Sequence, residues 1–230
     1  MREIVLDTET TGFDPFSGDR IVEIGCVELV NRMPTGEVYH QYINPERDMP
    51  EGAFQVHGLS EEFLTDFPTF REVGQAFLDF IGDGMLVIHN AAFDMKFLNA
   101  ELEWMGLPKI PMSRSIDTLA MARAMFPGAQ ATLDALCRRF DIDNTSRTYH
   151  GALLDSELLA DVYLELTGGR QPGLELAGEG KGGTGGLSAG GLKKSNKPVR
   201  PARPHKAHDE ELAAHAAFLE EKVTDPIWNR

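Results

Sequence analysis

Ile4-Val5-Leu6-Asp7-Thr8-Glu9-Thr10-Thr11-Gly12 is a short apolar run that ends in two carboxylates. Ile4-Val5-Leu6 reads as a buried strand. Positions i and i+2 of a strand share a face, so Asp7 and Glu9 leave its end pointing the same way. Two like charges side by side call for a cation, and hard oxygen donors at that separation suit Mg²⁺ or Mn²⁺ better than a proton or a soft metal. Taken alone, Asp-x-Glu also describes two acids on a solvated sheet edge. A metal site needs further carboxylates from elsewhere in the chain.

Outward from this stretch, residues 20–30 form a second apolar run rich in β-branched side chains, and Glu37–Ile43 form a third. The turn-forming Met33-Pro34-Thr35-Gly36 between them predicts an antiparallel hairpin beside the first strand. A loop punctuated by Pro45, Pro50 and Gly58 follows. Thr69-Phe70-Arg71-Glu72 has the form of a capping box, and it opens a helix that carries Val73, Phe77 and Phe80/Ile81 on one face. Met85–His89 reads as another buried strand. Asn90 is placed to cap a helix from Ala91 to about Met105, with Asp94 in its first turn. Ser113–Ile116 gives a short fifth strand, and helices follow at Leu119–Met125 and Leu133–Phe140. After a polar loop at 141–148, Leu154, Leu158, Leu159, Val162 and Leu166 have helical spacing. Three strands before any helix, then strands alternating with helices, predict an α/β fold with a mixed five-stranded sheet flanked by helices.

At 230 residues, 42% hydrophobic and 25% charged, the chain has enough for one good core with length left over. The formal charge of −14 is unevenly spread: residues 1–168 carry 12 Lys+Arg against 28 Asp+Glu, residues 169–208 carry 8 against 2, and residues 209–230 carry 2 against 6. So acidic a front domain is ill suited to tight autonomous nucleic-acid binding, which draws on phosphate neutralisation. A nucleic-acid enzyme of this charge needs bound metals and a partner. Cys26 and Cys137 lack paired metal-ligand spacing and are expected to be small buried hydrophobes. There is no bilayer-spanning apolar run and no basic, then apolar, then small-residue start, so a cytoplasmic protein is expected. Three segments emerge: a domain at 1–168, a Gly/Ser/Lys/Pro-rich linker at 169–208 expected to be flexible, and a segment at 209–230. In the last, Asp209–Leu219 reads as a short helix too marginal to stand alone, with Leu212, Phe218 and Trp228 available for docking.

Two further sites support the metal reading. Asp94 lies at a strand-to-helix junction. Asp155 lies near the buried side of its helix, where an unpaired carboxylate is expensive and a metal relieves the cost. His150, five residues earlier and about 140° around a helix from Asp155, belongs on the preceding loop, where it can reach a water as general base. Beside these, His89 reads as a hydrogen-bonded structural histidine and Glu23 as a solvent-facing strand acid. His57 has two readings, loop packing and contact with a substrate terminus. Phe93 reads as core, with stacking on a terminal base also open.

Asp7-Thr8-Glu9-Thr10-Thr11-Gly12, His89-Asn90-Ala91-Ala92-Phe93-Asp94 and His150-Gly151-Ala152-Leu153-Leu154-Asp155 resemble, in order and spacing, the three motifs of the DEDDh 3′→5′ exonucleases. The resemblance spans residues 1–168 and implies a ribonuclease H-like fold. It also implies that Asp7, Glu9, Asp94 and Asp155 are metal-binding carboxylates for two divalent cations, Mg²⁺ or Mn²⁺, and that His150 is the base. Thr10 and Thr11 are implied to face the terminal nucleotide. The layout of the whole chain is similar to that of the proofreading epsilon subunits of bacterial DNA polymerase III. That similarity implies a DNA 3′ end as substrate and the polymerase alpha subunit as partner of residues 209–230. It further implies a sliding-clamp peptide at Gln171-Pro172-Gly173-Leu174-Glu175-Leu176, which departs from the family pattern by ending in Leu, and a small theta-like third subunit. Two other functions stay open at this point: a free-standing DEDDh ribonuclease on short RNA, and a non-catalytic module that stabilises a polymerase.

Overall fold

Residues 4–6 are fully buried and alternate between two layers, Ile4 and Leu6 packing into one hydrophobic cluster and Val5 into a second. A strand covered on both faces belongs in the middle of a sheet. That strand is β1 (Arg2–Thr10). It pairs antiparallel with β2 (Ile21–Val30), which pairs antiparallel with β3 (Met33–Tyr42). On its other side β1 runs parallel to β4 (Met85–Ile88), and β4 parallel to β5 (Ser115–Asp117), giving the order β3-β2-β1-β4-β5. Between β3 and β4 come α1 (Glu51–His57), α2 (Glu61–Leu64) and α3 (Phe70–Ile81). α4 (Ala91–Trp104) links β4 to β5, and α5 (Thr118–Met125), α6 (Leu133–Phe140) and α7 (Ala152–Leu166) follow. The structure is a computed structural model and describes residues 1–145, 149–169 and 208–222.

The two clusters fill the space between sheet and helices. α3 and α4 contribute Phe70, Phe77, Phe97 and Leu98 to the first, and α6 and α7 contribute Leu136, Leu159 and Val162 to the second. Each such side chain stabilises the fold by roughly 1.5–3 kcal/mol relative to an exposed one. The expected mixed five-stranded sheet between helices is therefore the observed one, and the Glu72 carboxylate accepts from the Thr69 N–H at 2.7 Å, as the capping box requires.

Three expectations need correction. The hairpin turns at Asn31-Arg32, both with positive φ (53° and 66°), and not at Met33–Gly36. Such a two-residue turn matches the twist of the strands it joins. Pro34, Thr35 and Gly36 instead mark an irregularity in the edge strand β3, where the ladder slips beside Glu28 and Thr35 Oγ1 donates to Glu28 Oε2 at 2.7 Å. An edge strand tolerates a proline because its outer N–H groups need no partner. Second, the stretch from Pro45 to Gly58 is not all loop, because it contains α1, closed by Gly58 at φ 72°. Third, Asn90 sits at the start of α4 in the left-handed region, φ 70°, and makes no side-chain cap; its N–H donates to Asp117 Oδ1 at 3.1 Å.

The chain divides into two compact units, Met1–Ala177 and Gly178–Arg230. In the second, α8 (Asp209–Lys222) forms over the stretch read as a docking helix, and Leu212 and Phe218 on it are exposed. Gln171, Leu174, Leu176 and Trp228, with nearly all of the stretch read as linker, lie outside the described residues. No described helix is long and apolar enough to cross a membrane.

Candidate active site

Asp7 and Glu9 continue the face of β1 that begins with Val5, so they leave the strand end on the α7 side of the sheet. What brings α7 to them is a glycine on the neighbouring strand. Gly25 pairs with Asp7 in the β1–β2 register, and a Cβ there would run into the Ala152 carbonyl and the Leu153 nitrogen at the start of α7. With no side chain at 25, the first turn of α7 lies directly on the sheet. Ser156 Oγ secures the crossing by donating to the Gly25 carbonyl at 2.9 Å. Asp155, one residue before Ser156 and 3% exposed, is thereby carried to the strand end.

Ligand atoms of Glu9, Asp155 and His150 all lie within 4.8 Å of one another, a spacing fit for one cation. His150 Nδ1 is 3.4 Å from Asp155 Oδ2. As its spacing implied, His150 stands on the segment before α7, where its N–H donates to the Val56 carbonyl at 3.1 Å. Its side chain is 48% exposed, against 4% for Asp155.

Asp94 reaches the same cleft from the opposite layer. It occupies the first turn of α4 and accepts at Oδ1 from Thr8, from the backbone N–H at 3.1 Å and from the hydroxyl at 2.8 Å. Burial outweighs these donors and pushes its pKa up to about 7, with the charge of Asp117 adding to the rise. Asp7, Glu9, Asp94, His150 and Asp155 thus all line one cleft of about 880 Å³, brought together by β1, α4 and α7.

The other sequence-predicted residues divide. Phe93 both packs on the core, 5.1 Å from the Phe97 ring, and lines the cleft. His57 ends α1 and is buried, its Nδ1 accepting from the Leu59 N–H at 3.0 Å. Its Nε2 has no hydrogen-bond partner among the described residues. Burial, then the nearby His150, depress its pKa. The hydroxyls of Thr10 and Thr11 are turned inward, donating to the Gly12 carbonyl at 2.7 Å and to Asp19 Oδ1 at 3.3 Å, and neither residue is among those that line the cleft. His89 is hydrogen-bonded as expected, Nδ1 lying 3.0 Å from Thr118 Oγ1. Glu23 is a correction: it is 3% exposed, its Oε1 2.7 Å from His40 Nε2. It alternates with apolar residues because both faces of β2 are covered, not because one meets water.

Sequence reasoning missed four contributors. Thr8, Gly25 and Ser156 act through contacts between distant elements. Phe13, 86% exposed at the cleft, sits on a loop gathered by the Asp19 carboxylate, which accepts from the N–H groups of Phe13 and Asp14 at 2.9 and 3.1 Å. An aromatic pair, Phe13 and Phe16, inside a Gly/Asp/Pro/Ser turn was the signal that could have drawn notice to it.

A family model described as Exonuclease (RNase_T) matches residues 4–163. The chain is 51% identical over 222 residues to the DNA polymerase III subunit epsilon of Rickettsia felis, covering 95% of this chain and 96% of that one. It is 47% identical over 229 residues to the subunit of the same name from Escherichia coli K12, covering 95% and 92%. Among solved structures, the nuclease domain of 3′hExo, a DEDDh family member bound to rAMP, aligns with a TM-score of 0.62 at 20% identity, covering 72% of this chain and 90% of that one; this is a likeness of fold. With its carboxylates and histidine in one cleft, the chain belongs to the DEDDh 3′→5′ exonuclease family, in the branch of the DNA polymerase III epsilon subunits.

Proposed function

We propose that this enzyme removes mismatched 3′-terminal nucleotides from DNA as 5′-monophosphates, acting as a proofreading subunit of the replicative polymerase in the bacterial cytoplasm. The observation that carries the reading is the convergence of Glu9, His150 and Asp155 within 4.8 Å in the cleft that Asp7 and Asp94 also line. DEDDh exonucleases depend on divalent metal, and the donors here fit one: they are mostly hard oxygens, and Asp94 holds its proton up to about pH 7 until a cation balances the charge. Asp7, Glu9, Asp94 and Asp155 would hold two ions, Mg²⁺ or Mn²⁺. Bound there, such ions supply an acidified water and offset charge on the phosphate and the leaving 3′ oxygen.

The rest of the chemistry belongs to the chain. The water oxygen attacks phosphorus, the bond from phosphorus to the 3′ oxygen breaks, and one proton of the water passes to His150 at Nε2. The leaving 3′ oxygen takes up a proton from solvent to become the new 3′-hydroxyl. Asp155, beside Nδ1, supports the imidazolium that forms. His57 and Phe93, with the backbone of Thr10 and Thr11, contact the terminal nucleotide. A terminus must unpair to reach the carboxylates, so a mismatched base, which unpairs at lower cost, is removed first; the difference is at most a few kcal/mol by analogy with base flipping.

The relatives at 47–51% identity share the C-terminal segment as well as the nuclease domain, which supports a subunit over a free-standing ribonuclease. In this reading Leu212 and Phe218 of α8, with Trp228, bind the polymerase alpha subunit. Gln171, Leu174 and Leu176 bind the sliding clamp, and a small theta-like subunit completes the core. Digestion of 3′-mismatched and paired primer-template DNA, and of a short RNA, tests the activity. The expected result is mononucleotide release that favours the mismatch and falls by about 10⁴-fold in Asp7→Ala. Preference for RNA, or equal activity in the variant, would refute it. Loss of clamp binding in Gln171→Ala, read by surface plasmon resonance, tests the clamp peptide.

A further inference from the structure

The cleft is larger than its carboxylates require. At about 880 Å³ it lies near the top of the range for sites that take one small molecule, about 300–1,000 Å³. The added lining comes from α5 and the connection to α6, with Leu119, Arg123, Gln130 and Thr132 in its wall. None of these is used by the chemistry above.

Arg123 is the one lysine or arginine among the described residues that line the cleft. The arginines packed on the sheet and its loops have partners: Arg2 binds Glu28 and the carbonyls of Phe80 and Ile81, Arg20 binds Glu101, and Arg114 binds the carbonyls of Gly82 and Gly84. The Arg123 guanidinium makes no hydrogen bond or ion pair among the described residues; the residue is exposed, and its charge reaches His89 in the same wall. The domain around it carries 28 acids against 12 bases. An unengaged guanidinium in the substrate cleft of so acidic a domain has a clear use for a polyanion.

We propose that Arg123 binds a backbone phosphate of the DNA strand upstream of the scissile bond, so that the α5–α6 wall holds the strand while the carboxylates work on its end. Gln130, exposed in the same wall, offers an amide to the strand's phosphate or sugar. The inference rests on the exonuclease reading above. It explains how a net-negative domain keeps hold of a strand between cleavages: one fixed cation placed where the backbone passes, in place of a broad basic surface.

The test compares two substrates in the full-length protein. One is a single-stranded oligonucleotide, which has upstream phosphates; the other is the p-nitrophenyl ester of thymidine 5′-monophosphate, which has a single phosphate and no upstream strand. For Arg123→Gln the KM for the oligonucleotide should rise roughly tenfold more than the KM for the ester, and equally for thymidine and adenosine sequences. The slope of log(kcat/KM) against log salt should fall by about one. Arg123→Lys, which keeps the charge, should keep the slope, and this variant guards against a simple folding defect. An unchanged oligonucleotide KM and slope, or an equal loss on both substrates, would overturn the proposal. Absence of wild-type activity on either substrate would instead sink the exonuclease reading itself.

Discussion

Glu9, Asp94 and Asp155 stand on regular backbone at 8%, 3% and 3% exposure, with Asp7 beside them on β1, whereas His150 stands on a short connecting segment with its side chain 48% exposed. The carboxylates are held from behind: Asp94 by two donors from Thr8, and Asp155 by a helix seated on Gly25 and pinned by Ser156. The His150 backbone is tied to the Val56 carbonyl, next to buried His57. The two parts answer different needs. Repelling charges must be kept close by a scaffold that cannot relax, while a group that moves a proton needs water and freedom to turn.

The largest effect that bears on this contrast is expected from His150→Ala, which should lower kcat by about 10³-fold. Stabilisation by Mn²⁺, followed by thermal melting, should survive in the variant. Loss of that stabilisation would break the contrast and place His150 with the metal ligands. Gly25→Ala should come next. The added methyl must lift the start of α7, and a misplacement near 1 Å costs about 100-fold in turnover. Full activity in Gly25→Ala would mean that the seat of α7 does not position Asp155.

The smallest effect is on stability and depends on pH. The folded pKa of Asp94, about 7, lies above its ordinary 3.8, so folding binds the extra proton. That contribution is full below about pH 3.8 and is lost as pH rises through 7. Without metal, Asp94→Asn should therefore melt several degrees higher than the parent at pH 8, since about 1 kcal/mol moves a domain of this size by about 2–4 °C. The gain should shrink towards pH 5, and with Mn²⁺ present it should vanish or reverse. A gain independent of pH would show that the buried charge is not its source.

Much of this was legible beforehand because it is local. The apolar run at 4–6, the capping box at 69–72 and the helical spacing of Leu158, Leu159 and Val162 report their elements through neighbours a few residues away. So does the placement of Asp7, Glu9, Asp94, His150 and Asp155 at element ends. Where reading failed locally, two signals competed: Pro34-Thr35-Gly36 looks like a turn, yet Asn31-Arg32, which lacks glycine, makes it. α1 was hidden because its seven residues are bounded by Pro50 and Gly58, which read as loop.

The sequence by itself determined the α/β order of elements, the five residues of the candidate site and the acidity that calls for metals, since periodicity, side-chain chemistry and charge are properties of the chain. Tertiary structure alone decided that α7 crosses the sheet at Gly25, that Thr8 braces Asp94, that Glu23 is buried against His40, and that Arg123 shares the cleft with the carboxylates. These depend on pairs 17 to 131 residues apart where a hydrogen bond records them. No window along the chain encodes such a pair, because each partner's position is set by the packing of a different layer.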